Sequence, residues 1–269
     1  MHAPGRPRAR RPWLPIVGAA LAVAAVCALG SWRPWIAPSA PVAGPDAAAA
    51  VTVAPAPLLL PEHARVLIFG DSWVYGSAAT VPTLGFAYLI GENRGWDTVV
   101  DGVRGSGYLK PGIDGGSYAE RIAALKPDLD PDLVIVEGSI NDRRLPAAGY
   151  RDAVTAAWDQ LEGLYPEAQI VILGPSPQVL PIEKRTARID ADLSELAAQR
   201  GWWYISPIAD EWITPDNYLA VIDTGIGKDH PSTDGHVYLA DRLDNALAAL
   251  AEGTDVAADA PHDEELVGP

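Results

Sequence analysis

The residues best suited to chemistry in this chain are a serine, a histidine, an asparagine and a run of glycines. Gly70-Asp71-Ser72-Trp73 follows the apolar run Ala64–Phe69, so Ser72 falls at a strand-to-loop turn that exposes a side chain at a sheet rim. A serine hydroxyl is barely acidic and attacks a carbonyl only with a base beside it. Of the five histidines, His2 and His262 lie near the termini and His63 at the edge of a linker, which leaves His230 and His236. His230 stands in the loop Asp229-His230-Pro231 and is the preferred base. His236 falls at a helix start and reads as a structural residue bonded to backbone. An oxyanion formed by the attack needs fixed donors. The backbone N–H of Ser72, the backbone N–H of Gly105 and the side-chain amide of Asn141 come from three strand ends and can converge on one point. Gly102 and Gly107 are near alternatives to Gly105. Asp71 reads as a turn-holding acceptor, Asp142 as a cap, and Trp73 as either packing or the wall of an acyl or sugar pocket. Asp229, His230, Asp234 and His236 lack a further nearby His or Cys, so no metal site is expected.

These residues need a frame to bring them together. Short apolar runs read as strands at Ala64–Phe69, Asp97–Val100, Asp132–Glu137, Gln169–Leu173 and Trp202–Ile205. Between and after them, apolar spacing predicts helices over Thr83–Asn93, Tyr118–Leu125, Tyr150–Tyr165, Ile182–Arg200 and Ser232–Ala251. Near-continuous apolar strands alternating with helices mean parallel strands buried on both faces. The expected fold is α/β: a three-layer α/β/α sandwich on a five-stranded, mostly parallel, doubly wound sheet. Ligands of such sheets sit outside the carboxyl ends of the strands, where the candidate residues fall.

In this order, Gly-Asp-Ser, a glycine loop, Gly-x-x-Asn-Asp and a late His-Pro resemble the SGNH hydrolases, the GDSL-like lipases and esterases. The resemblance runs from about Val66 to Leu243. It implies a flavodoxin-like sheet, with Ser72 as nucleophile, Gly105 and Asn141 in the oxyanion hole and His230 as base, and no cofactor. The Gly-x-Ser-x-Gly elbow of the α/β-hydrolases is absent, because position 74 is Val. One position departs from the family pattern. The acid that usually stands three residues before the histidine is replaced by Gly227. Asp229, Asp223 or a backbone carbonyl is then left to orient the ring. The implied activity is a serine esterase acting through an acyl-enzyme on an O-acylated glycan, a lipid or a small ester. Two alternatives stay open: an O-acyltransferase using the same site, and an impaired domain that only binds glycan or protein.

Composition narrows the field further. Hydrophobic residues make up 48% of the chain and charged residues 20%, enough for a packed core. A formal net charge of −15 speaks against a nucleic-acid partner. No phosphate-binding glycine loop of nucleotide proteins follows the first strand. The single cysteine, Cys27, excludes an intrachain disulfide. Arg6, Arg8, Arg10 and Arg11 precede an uncharged stretch from Pro12 to Trp32, which predicts a signal peptide or signal anchor over residues 1–33. An Ala/Pro-rich linker is expected over 34–60, the hydrolase-like domain over 61–252 and an acidic disordered tail over 253–269. The protein is therefore expected to be exported, extracellular or anchored to the outer face of the plasma membrane by one N-terminal helix. Beyond residue 33 the chain holds 15 basic and 35 acidic residues, a net charge of −20. The sequence leaves the oligomeric state open.

Overall fold

The computed structural model describes residues 55–253, within the compact unit Thr52–Pro269. The expected signal segment, most of the expected linker and nearly all of the expected acidic tail lie outside the described residues. Among the described residues no helix is long and apolar enough to cross a membrane.

Five strands form one parallel sheet: β1 (Arg65–Gly70), β2 (Asp97–Gly102), β3 (Leu133–Glu137), β4 (Gln169–Leu173) and β5 (Trp203–Ile205). Their order is β2-β1-β3-β4-β5. Val66 pairs with Thr98 on one side and Leu133 on the other, which fixes β1 between β2 and β3. The winding direction reverses between β1 and β3, and at such a switch point the loops diverge and leave a crevice above the strand ends.

Alternation along each strand assigns the two faces. Val66 and Ile68 of β1, Leu133 and Ile135 of β3, and Val171 and Leu173 of β4 share one apolar cluster. It is covered by Phe86 and Ile90 of α2 (Phe86–Arg94) and by Leu239, Leu243 and Leu247 of α7 (Thr233–Glu252). Leu67, Phe69, Val134, Val136, Ile170 and Ile172 face the other way. There they meet α3 (Tyr118–Ile122), α4 (Tyr150–Leu164) and α5 (Lys184–Arg200). The molecule is thus the expected three-layer sandwich.

Several boundaries move. The first long helix begins at Phe86 rather than Thr83, because Gly85 is extended and Pro82–Leu84 forms a separate 3₁₀ turn. Ser232 is the N-cap of α7, its hydroxyl accepting the Gly235 N–H. The stretch 55–60 belongs to the domain instead of the linker. Leu58 is buried and its N–H donates to Leu250 O, Trp203 Nε1 donates to Ala56 O, and the Gln169 amide bonds both polar backbone atoms of Leu59. Not foreseen were the short helices α1 (Ser72–Tyr75) and α6 (Tyr218–Val221). Nor was a two-stranded antiparallel ladder of β6 (Ile222–Asp223) and β7 (His230–Pro231).

Candidate active site

Ser72 is the first residue of α1, directly beyond β1. Asp71 caps that turn: its Oδ1 accepts the Trp73 N–H at 2.9 Å. The turn ends at Gly76, whose N–H returns to the Ser72 and Trp73 carbonyls. Ser72 is therefore held in a tight strand-to-helix turn, 6% exposed. Its own N–H, at the free end of the one-turn helix, donates to no acceptor among the described residues.

His230 enters from the far end of the chain. Its Nε2 lies 2.9 Å from Ser72 Oγ. Its Nδ1 lies 2.9 Å from Gly227 O and 3.1 Å from Lys228 O. A carbonyl accepts and never donates, so the ring proton belongs on Nδ1 and Nε2 accepts from the serine hydroxyl. A tight turn over residues 227–230 supplies this clamp. Lys228 and Asp229 are both left-handed (φ +51° and +63°), and the His230 N–H closes onto Gly227 O. Left-handed backbone costs a residue with a Cβ roughly 1–2 kcal/mol. The turn thus carries strain where two carbonyls converge on one ring nitrogen.

Neither Asp223 nor Asp229 bonds His230 Nδ1. Asp223 Oδ1 accepts the Gly225 N–H, and the Asp229 charge is felt by Tyr218. Of the three ways left to orient the ring, the hydrogen bonds found are those of backbone carbonyls. An acid at position 227 has no room. A Cβ on Gly227 would lie 2.7 Å from both Ala78 Cβ and Asp223 Cβ.

The loop after β2 is held against the end of β3 by one carboxylate. Asp142 accepts the N–H groups of Tyr108 (2.7 Å) and Lys110 (3.0 Å) and the Ser139 hydroxyl (2.7 Å). A Cβ on Gly107 would collide with this carboxylate at 2.5 Å, which is why the loop needs glycine there. The Gly107 N–H is spent on Lys110 O, whereas that of Gly105 reaches no acceptor among the described residues. Asn141, on the 3₁₀ turn Ile140–Arg144, donates through Nδ2 to Asp71 Oδ2 (2.8 Å) and Ser106 O (3.0 Å). It thereby ties the loops after β1, β2 and β3 together.

Behind Ser72 lies a buried polar group that the sequence did not point to. The Asp71 N–H faces Glu137 Oε2 at 3.4 Å, and both carboxyls are almost fully enclosed. Burial pushes the Asp71 carboxyl up to about 6, against the pull of the Trp73 N–H, His230 and Arg121. Burial and the neighbouring Asp71 push Glu137 well above the usual range. Asp71 has the better-supported anion, since it receives the Trp73 N–H and the Asn141 amide. Arg121 of α3 supplies the compensating cation. It donates to Gly70 O and Ser106 Oγ, both at 2.8 Å, and lies over the Phe69 ring at 4.1 Å.

His236 points elsewhere. Its Nδ1 accepts the Phe86 N–H and its Nε2 donates to Ser77 O. Trp73 belongs to the core cluster under α7, 2% exposed, with its ring 6.5 Å from that of His230. Among the described residues no three His, Cys, Asp or Glu side chains gather as a metal site.

A family model for GDSL-like lipases and acylhydrolases matches residues 68–238, the span from β1 to the first turns of α7. No curated protein matches the chain. Three solved structures share the fold at low identity. One, from Lactobacillus plantarum, is 19% identical, covers 71% of this chain and 99% of its own, and has a TM-score of 0.58. A carbohydrate acetylesterase from Sinorhizobium meliloti is 17% identical over 69% of this chain and 98% of its own, TM-score 0.54. A family two carbohydrate esterase from Clostridium thermocellum, in complex with cellohexaose, is 16% identical over 73% of this chain and 66% of its own, TM-score 0.54.

Proposed function

The chain belongs to the GDSL-like lipase/acylhydrolase family, and on that premise we propose that it is a serine esterase with Ser72 as nucleophile and His230 as base. The observation that carries this reading is the 2.9 Å contact of Ser72 Oγ with His230 Nε2, made while two carbonyls hold Nδ1. Ser72 Oγ attacks the ester carbonyl and its proton passes to Nε2. The imidazolium returns that proton to the departing alkoxide, leaving an acyl-enzyme. Water, deprotonated by the same nitrogen, then releases the acid and restores Ser72.

The oxyanion is received by the N–H groups of Ser72 and Gly105 and by the Asn141 amide. Without substrate, Asn141 spends one N–H on Asp71 and the other on Ser106 O. The second is the one that turns to substrate, because a full negative charge outcompetes a neutral carbonyl as acceptor. Asp71 keeps the first and so holds the amide in place. The N-terminal charge pattern supports export, so acylated carbohydrates of the cell envelope head the panel of esters to try. Two of the folds it resembles are those of carbohydrate esterases.

The test uses the full-length protein on esters from acetyl to long-chain, with a serine-directed phosphonate as covalent probe. Wild type is expected to turn over at least one ester and to label at Ser72. Ser72→Ala is expected to lose about 10³-fold or more in kcat/KM, and all labelling. A wild-type protein that is inert on the whole panel and unlabelled by the phosphonate sinks the reading.

A further inference from the structure

We propose that Asp223 is the positioning residue that replaces the missing acid, acting on the His230 imidazolium through its charge from across the β6–β7 ladder. The inference rests on the serine esterase reading above. Three observations carry it. Asp223 and His230 are directly paired in the ladder, and side chains of such pairs share a face with Cβ atoms about 4.5–5.5 Å apart. Next, Asp223 fills the space that an acid at position 227 would enter. A Cβ built on Gly227 lies 2.7 Å from Asp223 Cβ and 2.8 Å from its Cγ. Glycine at 227 and aspartate at 223 are therefore complementary: the side chain lost at one position is accommodated at the other. Finally, the carboxylate is fixed. Oδ1 accepts the Gly225 N–H at 2.8 Å, and the Asp223 carbonyl accepts the Asp229 N–H at 2.9 Å.

This divides between two groups what one acid usually does. The carbonyls of Gly227 and Lys228 hold the tautomer, which needs only acceptors. They carry no full charge, so the imidazolium formed during attack is left to a nearby anion. Several other groups face His230. Ser72 touches it, Trp73 lies beside it, and Asp71 and His236 interact with it electrostatically. Lys228 and Asp229 flank it in the chain. Asp71 is a second anion, but its charge is shared with the Asn141 amide and Arg121. Asp229 is a third, whose charge is felt by Tyr218. Asp223 is the anion paired with His230 across the ladder.

The experiment compares full-length wild type, Asp223→Asn and Asp223→Ala. Phosphonate labelling rate at Ser72 and ester kinetics are followed from pH 5 to 9. Asparagine keeps the acceptor for the Gly225 N–H and removes only the charge. It is expected to keep the unfolding midpoint, to lower kcat and the labelling rate about tenfold with little change in KM, and to move the acid limb of the rate profile to lower pH. The direction follows from charge: without the anion the imidazolium is less favoured, so the ring loses its proton earlier. Asp223→Ala is expected to show the same limb shift with an added rise in KM, as the turn loosens. If Asp223→Asn has the wild-type rate and limb while wild type labels at Ser72, Asp223 is a turn residue only and the esterase reading stands. If wild type neither turns over an ester nor labels, both readings fall.

Discussion

His230 and His236 flank the N-terminus of α7, and both have hydrogen bonds at both ring nitrogens, yet the fold sets them to opposite tautomers. His230 gives its Nδ1 proton to backbone carbonyls and turns a bare Nε2 to a serine hydroxyl. His236 receives the Phe86 N–H at Nδ1 and gives its Nε2 proton to Ser77 O. The first keeps its lone pair for a group that can give up a proton. The second spends its lone pair on a backbone amide that never will. Burial adds to the contrast. His236 is wholly enclosed, and desolvation pushes its pKa down to about 4, whereas His230 is only partly buried. A histidine becomes available for chemistry through what its lone pair faces, not through being hydrogen-bonded.

The sharpest way to break this contrast is to remove each ring in turn. His230→Ala is expected to lower kcat/KM by at least about 10³-fold, with the unfolding midpoint within about 3 °C of wild type. His236→Ala is expected to do the reverse. It orphans the Phe86 N–H and Ser77 O, costing about 2–4 kcal/mol of unfolding free energy, while the folded fraction keeps nearly the wild-type kcat. Urea unfolding alongside active-site titration reads both quantities. A folded His236→Ala enzyme as inactive as His230→Ala would end the division of labour.

A smaller effect sharpens the comparison through pH. The neutral His236 ring has a folded pKa of about 4 against an ordinary 6.5. Below pH 6.5 the unfolded chain takes up a proton that the folded one refuses. The stabilisation from His236 is therefore complete above pH 6.5 and lost progressively as pH falls toward 4, a change on the order of 3 kcal/mol. Asp71 runs the other way. Its raised pKa of about 6 stabilises at low pH and is lost as pH rises from about 4 to 6. The difference in unfolding free energy between wild type and His236→Asn cancels the Asp71 contribution. It should shrink as pH falls from 6.5 to 4, and a flat difference across that range would show that His236 is not held neutral. The smallest effect is expected at Lys228→Gly. Relief of a left-handed side chain and the added freedom of the unfolded chain offset each other within about 1 kcal/mol. Activity should stay near wild type, since the carbonyl clamp is backbone; a large fall in kcat would mean that the lysine side chain itself serves the site.

How much of the site could be read in advance follows from what each part is made of. Ser72, Asn141 and His230 are side chains of distinctive type at the ends of apolar runs, and the structure brings Ser72 to His230 and ties Asn141 to the same turn through Asp71. The clamp on Nδ1 is made of carbonyls, which every residue has. Lys-Asp at two left-handed positions carries none of the Asn-Gly signal that marks such turns. Asp142 was legible only as a cap, although it gathers the whole loop after β2. Glu137 reads as the polar end of a strand and Arg121 as one charge in a short helix. Their approach to Asp71 depends on three segments meeting behind one turn.

Local chemistry along the chain therefore settled the elements and the reactive types. Apolar runs of strand length demand burial on two faces, helices must cover them, and a serine at the end of the first strand stands at the open edge. What the chain order could not settle was which histidine nitrogen faces that serine and what steadies the ring. Those depend on the spatial meeting of a turn near residue 228 with another near residue 72. Hydrogen bonds reward such a meeting only when distance and direction are both right within tenths of an ångström, a precision that residue spacing along the chain does not contain.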